Sequence, residues 1–480
     1  MKDLRDFIKL LRDRGELTVI DTPVDPVLEI TEITDRVSKA GGAALLFTNP
    51  KGSSIPVLMN QFGSEKRVCM ALRSDSYDDL ATRVQKLITL EAPGSAWDKL
   101  KALARLKDLA ALQPRTVRSG VCQEVVLTSD EIDLEALPIL KCWPLDGGRY
   151  VTLPLVFTRH PQTGARNVGM YRLQVYDKRT TGMHWHLHKD GAEHYRSCGG
   201  RMEVAVAIGT DPAVTYAATA PLPGGIDEML FAGFLRGEAV DLVQCRTVDL
   251  QVPAHAEFVL EGYVDVDERR VEGPFGDHTG YYSLADEYPV LHLTALTHRR
   301  DPIYAATIVG QAPMEDAFLG KATERLFLPL LRFTLPELVD LDLPKEGGFH
   351  NCALVSVKKR YPLHARKVMH SLWGAGQMQF SKCIVVVDAG VDVHDYAQVA
   401  WRVFNNVDWK RDVVVTEGPL DVLDHSAPQP LWGAKIGIDA TKKGPDEGHS
   451  REWPADVEMS ADVKARIDEL WPSLGLGGEA

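Results

Sequence analysis

What most limits the fold of this 480-residue chain is a succession of strand-like segments in its middle third. "YVTLPLVFT", "GMYRLQVYD", "MEVAVAIG", "EFVLEGYVDVD" and "VLHLTALTH" follow one another between residues 150 and 298. Each is rich in β-branched and aromatic side chains and is bounded by turn-forming residues. A single helix-like stretch interrupts them, starting near Asp227 and carrying Leu230, Phe231 and Phe234. Strands that follow one another without crossover helices pair through hairpins and meanders, so a mostly antiparallel sheet is predicted. The expected architecture is a strongly curved sheet or split, barrel-like domain.

The flanks read differently. Upstream, residues 3–14 predict a helix with Leu4, Phe7, Ile8 and Leu11 on one stripe, stopped by Gly15. A second helix at 28–40 uses Ile30, Ile33 and Val37, and strands follow at 44–48 and 56–60. A third starts at Ser76 with a capping box to Asp79 and carries Leu80, Val84, Leu87 and Ile88; another covers about 96–112. "LQPRTVRSG" (112–120) reads as a linker. Beyond about 326, "ALVSV", a helix at 362–375, "CIVVVD", a helix at 394–406 and "DVVVT" alternate, which predicts a parallel α/β unit. A last helix at 460–471, with Val463, Ile467, Leu470 and Trp471 as its stripe, stands alone and is expected to dock on another domain or subunit. The predicted class is α+β: an N-terminal α/β domain (1–113), a middle split β-barrel domain (117–325), a C-terminal α/β domain (326–458), and a helix and tail (459–480).

Composition removes several classes of function. With 54 basic and 67 acidic residues the net charge is −13, which provides no footprint for nucleic acid. The seven cysteines are scattered, odd in number and without a CxxC pair, so neither a disulfide framework nor a zinc knuckle is expected. The N-terminus is a charged amphipathic helix without the apolar core of a signal peptide. No stretch of about 18 apolar residues is present, so no membrane span is predicted and a cytoplasmic protein is expected.

Three stretches of the middle region carry candidate chemistry. "NVGMYRLQV" (167–175) places Asn167 and Arg172 in or beside a strand; "GMHWHLHKDG" (182–191) puts His184, His186 and His188 on one strand face; "EGPFGDHTGYY" (272–282) bends between Glu272 and Asp277. Taken singly, each has an ordinary explanation. A strand Asn or Arg usually faces solvent, three such histidines are as readily packed as metal-bound, and carboxylates around a Gly/Pro turn are usually turn chemistry. Glu228, at a helix start, suits the helix dipole. A flavin reductase and an open-site zinc hydrolase remain alternatives at this level.

Taken together and in order, these segments resemble the UbiD family of prenylated-flavin-dependent decarboxylases, with greatest similarity to the polyprenyl-hydroxybenzoate (3-octaprenyl-4-hydroxybenzoate) branch. The resemblance runs almost end to end: "LRDFIKLLRDRGEL", "VDPVLEITEITDR", "GGAALLFTNPKG", "PVLMNQFGSEKRV", "NVGMYR", "HKDGAEHY", "LRG", "EGPFGDHTGYY", "SKCIVVVD", "GAKIGIDATKK" and "REW".

That resemblance implies a non-oxidative, reversible decarboxylase of an aromatic acid, in which prenylated FMN, held through Mn²⁺ and K⁺, is the electron sink as CO₂ leaves. It implies Asn167, His188 and Glu228 as metal ligands, so that one histidine of the three is a ligand. Met170, Tyr171, Arg172, His184, Trp185, His186, Lys189 and Asp190 fall where the family contacts cofactor. Lys382, and less so Lys435, resemble phosphate-pairing lysines. Arg172, Glu272 and Asp277 carry over as the catalytic set, with Asp277 as proton donor, Glu272 tuning the network and Arg172 able to hold a carboxylate bidentately. The donor's pKa is expected to be raised by burial or by its acidic neighbour. The implied partners are the aromatic acid and CO₂, a flavin prenyltransferase supplying cofactor, and further copies of the chain as a homodimer or homohexamer; transient membrane contact would accompany a prenylated substrate.

Overall fold

The computed structural model describes residues 1–88, 110–185 and 190–476. At the N-terminus, Asp3 caps the helix Leu4–Asp13 by accepting from the amides of Arg5 and Asp6, and Leu4, Phe7, Ile8 and Leu11 are its buried stripe. The helix Glu29–Lys39 covers a sheet of Leu17–Ile20, Ala44–Phe47 and Val57–Met59. Its fourth strand is Tyr304–Ala305, paired parallel to Val57 and Leu58 from far along the chain. Before the helix Tyr77–Ile88, only half of the predicted capping box forms. Ser76 Oγ accepts from the Asp79 amide, while the Asp79 carboxylate accepts from Ser74 Oγ instead. The helix expected at about 96–112 lies largely outside the described residues.

The middle region is built on one antiparallel sheet. Its order is Thr180–Gly182, Asp286–His298, Phe258–Glu272, Arg201–Ile208, Leu155–Arg159 and Arg166–Met170, with Val125–Thr128 also pairing Asp286–His298. Among the described residues no ladder joins the two ends, so the sheet is open. The hairpin Phe258–Glu272/Asp286–His298 slips register between Val264 and Arg269, and its far end carries Glu272 beyond that slip.

Two predicted strands are each two pieces. Pro154 separates Tyr150–Val151 from Leu155–Arg159, because proline cannot donate to a ladder. Tyr171 and Arg172 separate Arg166–Met170 from Leu173–Gln174, which pairs with Tyr150–Val151. The Tyr171 ring folds back over Gly169, where a Cβ would lie 2.4 Å from it, so this break requires glycine. The stretch read as a linker is structured as well, since Arg115–Val117 pairs parallel to Asp241–Val243. The helix Glu228–Arg236 starts one residue after Asp227, which caps it, and ends at Gly237 with φ 71°. It buries Met229, Ala232, Gly233 and Leu235, a face offset from the one predicted.

A 20-residue helix, Glu315–Thr334, precedes the C-terminal sheet and was not anticipated from the sequence. That sheet runs Leu338–Asp342, Cys352–Val357, Cys383–Asp388, Trp432–Asp439 and Val413–Pro419. The three central strands are parallel, but only Cys352–Val357 and Cys383–Asp388 carry the apolar runs that predict it; the third such run, "DVVVT", lies in the edge strand Val413–Pro419, and both edge pairings are antiparallel. Helices His364–Trp373 and Tyr396–Asn406 pack beside it. The last helix, Ala461–Leu470, buries none of its residues, and Ile467 and Leu470 are exposed. All seven cysteines are free thiols. One hydrophobic core joins the N-terminal sheet (Phe47, Val57, Met59) to the middle sheet (Val156, Val206, Leu260), and a separate core fills the C-terminal unit.

Candidate functional site

The break at Tyr171–Arg172 turns the Arg172 side chain onto the end of the long hairpin. Its Nε and Nη2 donate to the two Glu272 oxygens at 2.9 and 3.2 Å. Nη1 donates to Asp277 Oδ2 at 2.6 Å, Nη2 also to Ser283 Oγ at 2.9 Å, and the guanidinium lies 4.5 Å from the Phe275 ring centroid. Glu272 is fully buried, and Arg172 and Asp277 are nearly so. The two carboxylates meet one arginine because the turn between them is held from outside. Gln174 Oε1 accepts from the Gly273 amide at 2.7 Å and from Tyr150 Oη at 3.0 Å, and Asp146 Oδ1 accepts from the Gly276 amide at 2.8 Å. Gly273 sits at φ +99°, and a Cβ on Gly276 would approach Trp143 to 2.2 Å, so both positions need glycine.

Histidines extend the cluster on both sides. His184 Nδ1 lies 3.0 Å from Glu272 Oε2, and its ring stacks on Tyr288 at 4.1 Å. His278 Nδ1 lies 2.9 Å from Asp277 Oδ1, and its Nε2 lies 3.0 Å from His350 Nε2. Burial pushes the Asp277 carboxyl up, but the bond and charge of His278 and the charge of Arg172 outweigh it and hold it below its ordinary value. Glu272 follows the same pattern, with His184 and Arg172 prevailing over burial. The expectation that these acids raise one another is thereby corrected: the guanidinium and imidazoles between and beside them dominate, and both are carboxylates in the resting chain. Burial lowers His184, whereas Asp277, followed by Asp316 and Asp421, raises His278 against its burial. The Arg172 fork expected for a substrate carboxylate is occupied by Glu272.

The remaining predicted residues divide into three groups. Asn167 is buried on Arg166–Met170, and Glu228 Oε2 accepts from the next amide, Val168 N, at 3.1 Å. The helix start and the strand are clamped there by Arg166 and Asp227 at 2.8 Å. Asn167 Nδ2 is buried with no hydrogen-bond partner among the described residues. The unanswered Nδ2 is a donor and suits an acceptor such as a phosphate oxygen, while Asn167 Oδ1 and the Glu228 carboxylate are the oxygens that could hold a hard divalent ion beside it. The third ligand of that set, His188, lies outside the described residues with His186 and Lys189, and of Asp190 only its place at the start of the helix Asp190–Cys198 is described. Among the described residues no group of three His, Cys, Asp or Glu could hold a metal.

In the second group, Tyr171 and Trp185 are buried, Trp185 packs on Tyr195 at 5.1 Å, and Met170 lines a cavity of about 650 Å³. The third group stays apart: Lys382 pairs with Asp424 at 2.8 Å and bonds Ser426, and Lys435, its pKa lowered by burial, donates to the Gln379 carbonyl. The described contacts of both lysines lie within the C-terminal unit.

The cavity lies between the middle region and the C-terminal sheet. Leu319, Phe327, Leu341 and Phe349 contribute its apolar wall, and Asp316, His350 and Asp421 its polar points. Of these, His350 has no sequence signal, sitting in an irregular loop, while His278 could have been found as the residue after Asp277 in the quoted motif.

Three family models match the chain: the 3-octaprenyl-4-hydroxybenzoate carboxy-lyase N-terminal domain over residues 8–87, its Rift-related domain over 115–312 and its C-terminal domain over 317–440. Uncharacterized proteins of Archaeoglobus fulgidus (54% identical, 98% of each chain) and Aquifex aeolicus (53%, 99% of each) are relatives along the whole length. Among solved structures, vanillic acid decarboxylase of Sedimentibacter hydroxybenzoicus in its closed form superposes with a TM-score of 0.87 at 28% identity over 99% of each chain. The UbiD-class enzyme HmfF of Pelotomaculum thermopropionicum in complex with FMN superposes at 0.79 with 30% identity, covering 94% of this chain and 97% of its own. An evolved dimeric form of HmfF was solved with prenylated FMN, with a TM-score of 0.78 at 28% identity over 97% of this chain and 98% of its own.

Proposed function

The chain belongs to the UbiD family of carboxy-lyases, and from that premise we propose that it is a reversible, non-oxidative decarboxylase of a hydroxybenzoate-type aromatic acid, dependent on prenylated FMN. The observation that carries the reading is the buried cluster in which one arginine holds two carboxylates, each with its own imidazole. A reductase or a zinc hydrolase has no use for that arrangement.

When bound, the prenylated flavin supplies the electron sink for breaking the bond between the ring and its carboxylate. Asn167 and Glu228, with His188, would hold a divalent ion that anchors the cofactor, and K⁺ would accompany it. Met170, Tyr171 and Trp185 would form the apolar wall along it.

The chain's own residues then have defined work. Arg172 attracts the substrate carboxylate, which competes with Glu272 for the guanidinium. A third negative charge at this point raises Asp277, and the hydrogen bond from His278 provides the proton. Asp277 passes that proton to the ring carbon as CO₂ departs. Glu272 and His184 set the charge on the opposite side of Arg172. Ring-bearing quinone precursors, prenylated or not, and simple hydroxybenzoates form the substrate class, and the working form is a homo-oligomer charged by a flavin prenyltransferase.

Co-production with a flavin prenyltransferase, mass spectrometry of the chromophore and a CO₂-release assay over a panel of aromatic acids test the reading. Prenylated FMN with CO₂ release is expected. Unmodified FMN that accepts hydride, or loaded protein that neither releases CO₂ nor exchanges labelled bicarbonate, overturns it.

A further inference from the structure

Beyond the arginine cluster, the Asp277–His278–His350 chain ends at an atom with no described role. His350 Nδ1 is buried and has no hydrogen-bond partner among the described residues, while the ring that carries it lines the 650 Å³ cavity. The charge of His278 decides what that atom is. His278 faces the Asp277 carboxylate through Nδ1 and His350 through Nε2. As an imidazolium it donates from both nitrogens. His350 must then accept at Nε2, and a neutral imidazole that accepts at one nitrogen carries its hydrogen on the other.

The charged groups around the pair favour this assignment. Asp277, Asp316 and Asp421 face His278 and raise its pKa against its burial, while burial and the His278 charge, against Asp421, Asp424 and Asp277, hold His350 down at about 4. Phe349 stacks on His278 at 5.1 Å and fixes that ring from the cavity side. A second polar atom on the same cavity is likewise unanswered: Asp316 Oδ2 is buried without a partner among the described residues, and burial, partly offset by His278, raises Asp316 to about 7.

We propose that His350 is a substrate-reading residue, its Nδ1–H donating to an oxygen substituent on the aromatic ring, with Asp316 as the second polar contact for a hydroxyl. This rests on the decarboxylase reading and adds to it which feature of the acid is selected. A buried N–H without an acceptor is costly, and an oxygen on the ligand removes that cost, whereas a bare ring leaves it in place. The rigid link through His278 also ties the substituent contact to the proton at Asp277.

Two measurements test it. In cofactor-free protein with ¹⁵N-labelled histidine, the His350 resonances should report a neutral ring protonated at Nδ1 between about pH 5.5 and pH 8, and the Nε2–H form overturns the assignment. In the loaded enzyme, kcat/KM for 3- or 4-hydroxybenzoate over benzoate should fall about tenfold in His350→Leu and be partly restored in His350→Gln, which keeps a donor. An unchanged ratio in His350→Leu, or wild-type preference for benzoate, overturns the proposal while leaving the decarboxylase reading intact. A wild-type enzyme that releases no CO₂ counts against that reading instead, and the tautomer measurement stands regardless.

Discussion

Glu272 and Asp277 are buried against a guanidinium and two imidazoles; Glu315 is buried, and Asp316 half-buried, against hydroxyl and amide donors. Glu315 accepts from the Phe62 amide at 2.8 Å and from Thr307 Oγ1 at 2.6 Å, and Asp316 from the Ala317 amide at 2.8 Å. No cation pairs directly with either among the described residues. Both pairs lose solvation, yet the first lies below its ordinary pKa and the second above it, with Asp316 near 7. Burial therefore does not decide the state of an acid in this protein. What separates these two pairs is direct contact with a cation.

The largest effect should come from the first pair. Asp277→Asn keeps the shape but removes the proton donor, so kcat is expected to drop on the order of 10²- to 10⁴-fold with flavin and metal still bound. Turnover at the wild-type rate would break the assignment. Arg172→Met leaves two buried carboxylates without their cation, a loss of about 3–5 kcal/mol read by denaturant unfolding of the cofactor-free chain. A variant as stable as wild type would show that the imidazoles alone hold these acids.

Glu228→Gln should lower metal and flavin retention together, on the order of tenfold, by metal analysis and absorbance. Full flavin occupancy without metal would remove Glu228 from the ligand set.

The smallest effect belongs to the second pair. Asp316 has a folded pKa of about 7 against an ordinary value of 3.8, so the folded state binds the extra proton. Its penalty is absent below the unfolded value, grows as pH rises through that window and is complete above 7. Asp316→Asn should thus gain stability on wild type as pH rises from 4 to 8, and a pH-independent gap would contradict the shift. Glu272 and Asp277 behave oppositely, with their stabilisation present above about pH 4 and lost only on stronger acidification.

The parts of the fold legible in the sequence were those set by local periodicity. The Leu4, Phe7, Ile8, Leu11 stripe and the helices His364–Trp373 and Tyr396–Asn406 fall where their spacing puts them. Breaks such as Tyr171–Arg172 were not legible, because they depend on a ring folding over Gly169. Nor was the helix Glu315–Thr334, whose apolar positions face two neighbours and blur a single stripe. At the site, adjacency in "EGPFGDHTGYY" brought Glu272 and Asp277 to notice, while their sharing of Arg172 is a tertiary fact. His350 reaches His278 across 72 residues from a loop with no pattern of its own.

The sheet built from Leu17–Ile20, Ala44–Phe47 and Val57–Met59 is completed by Tyr304–Ala305. During synthesis its apolar rim at Val57 stays open until the ribosome has delivered the whole middle region. A nascent or truncated chain ending before residue 304 would expose that rim to other strands.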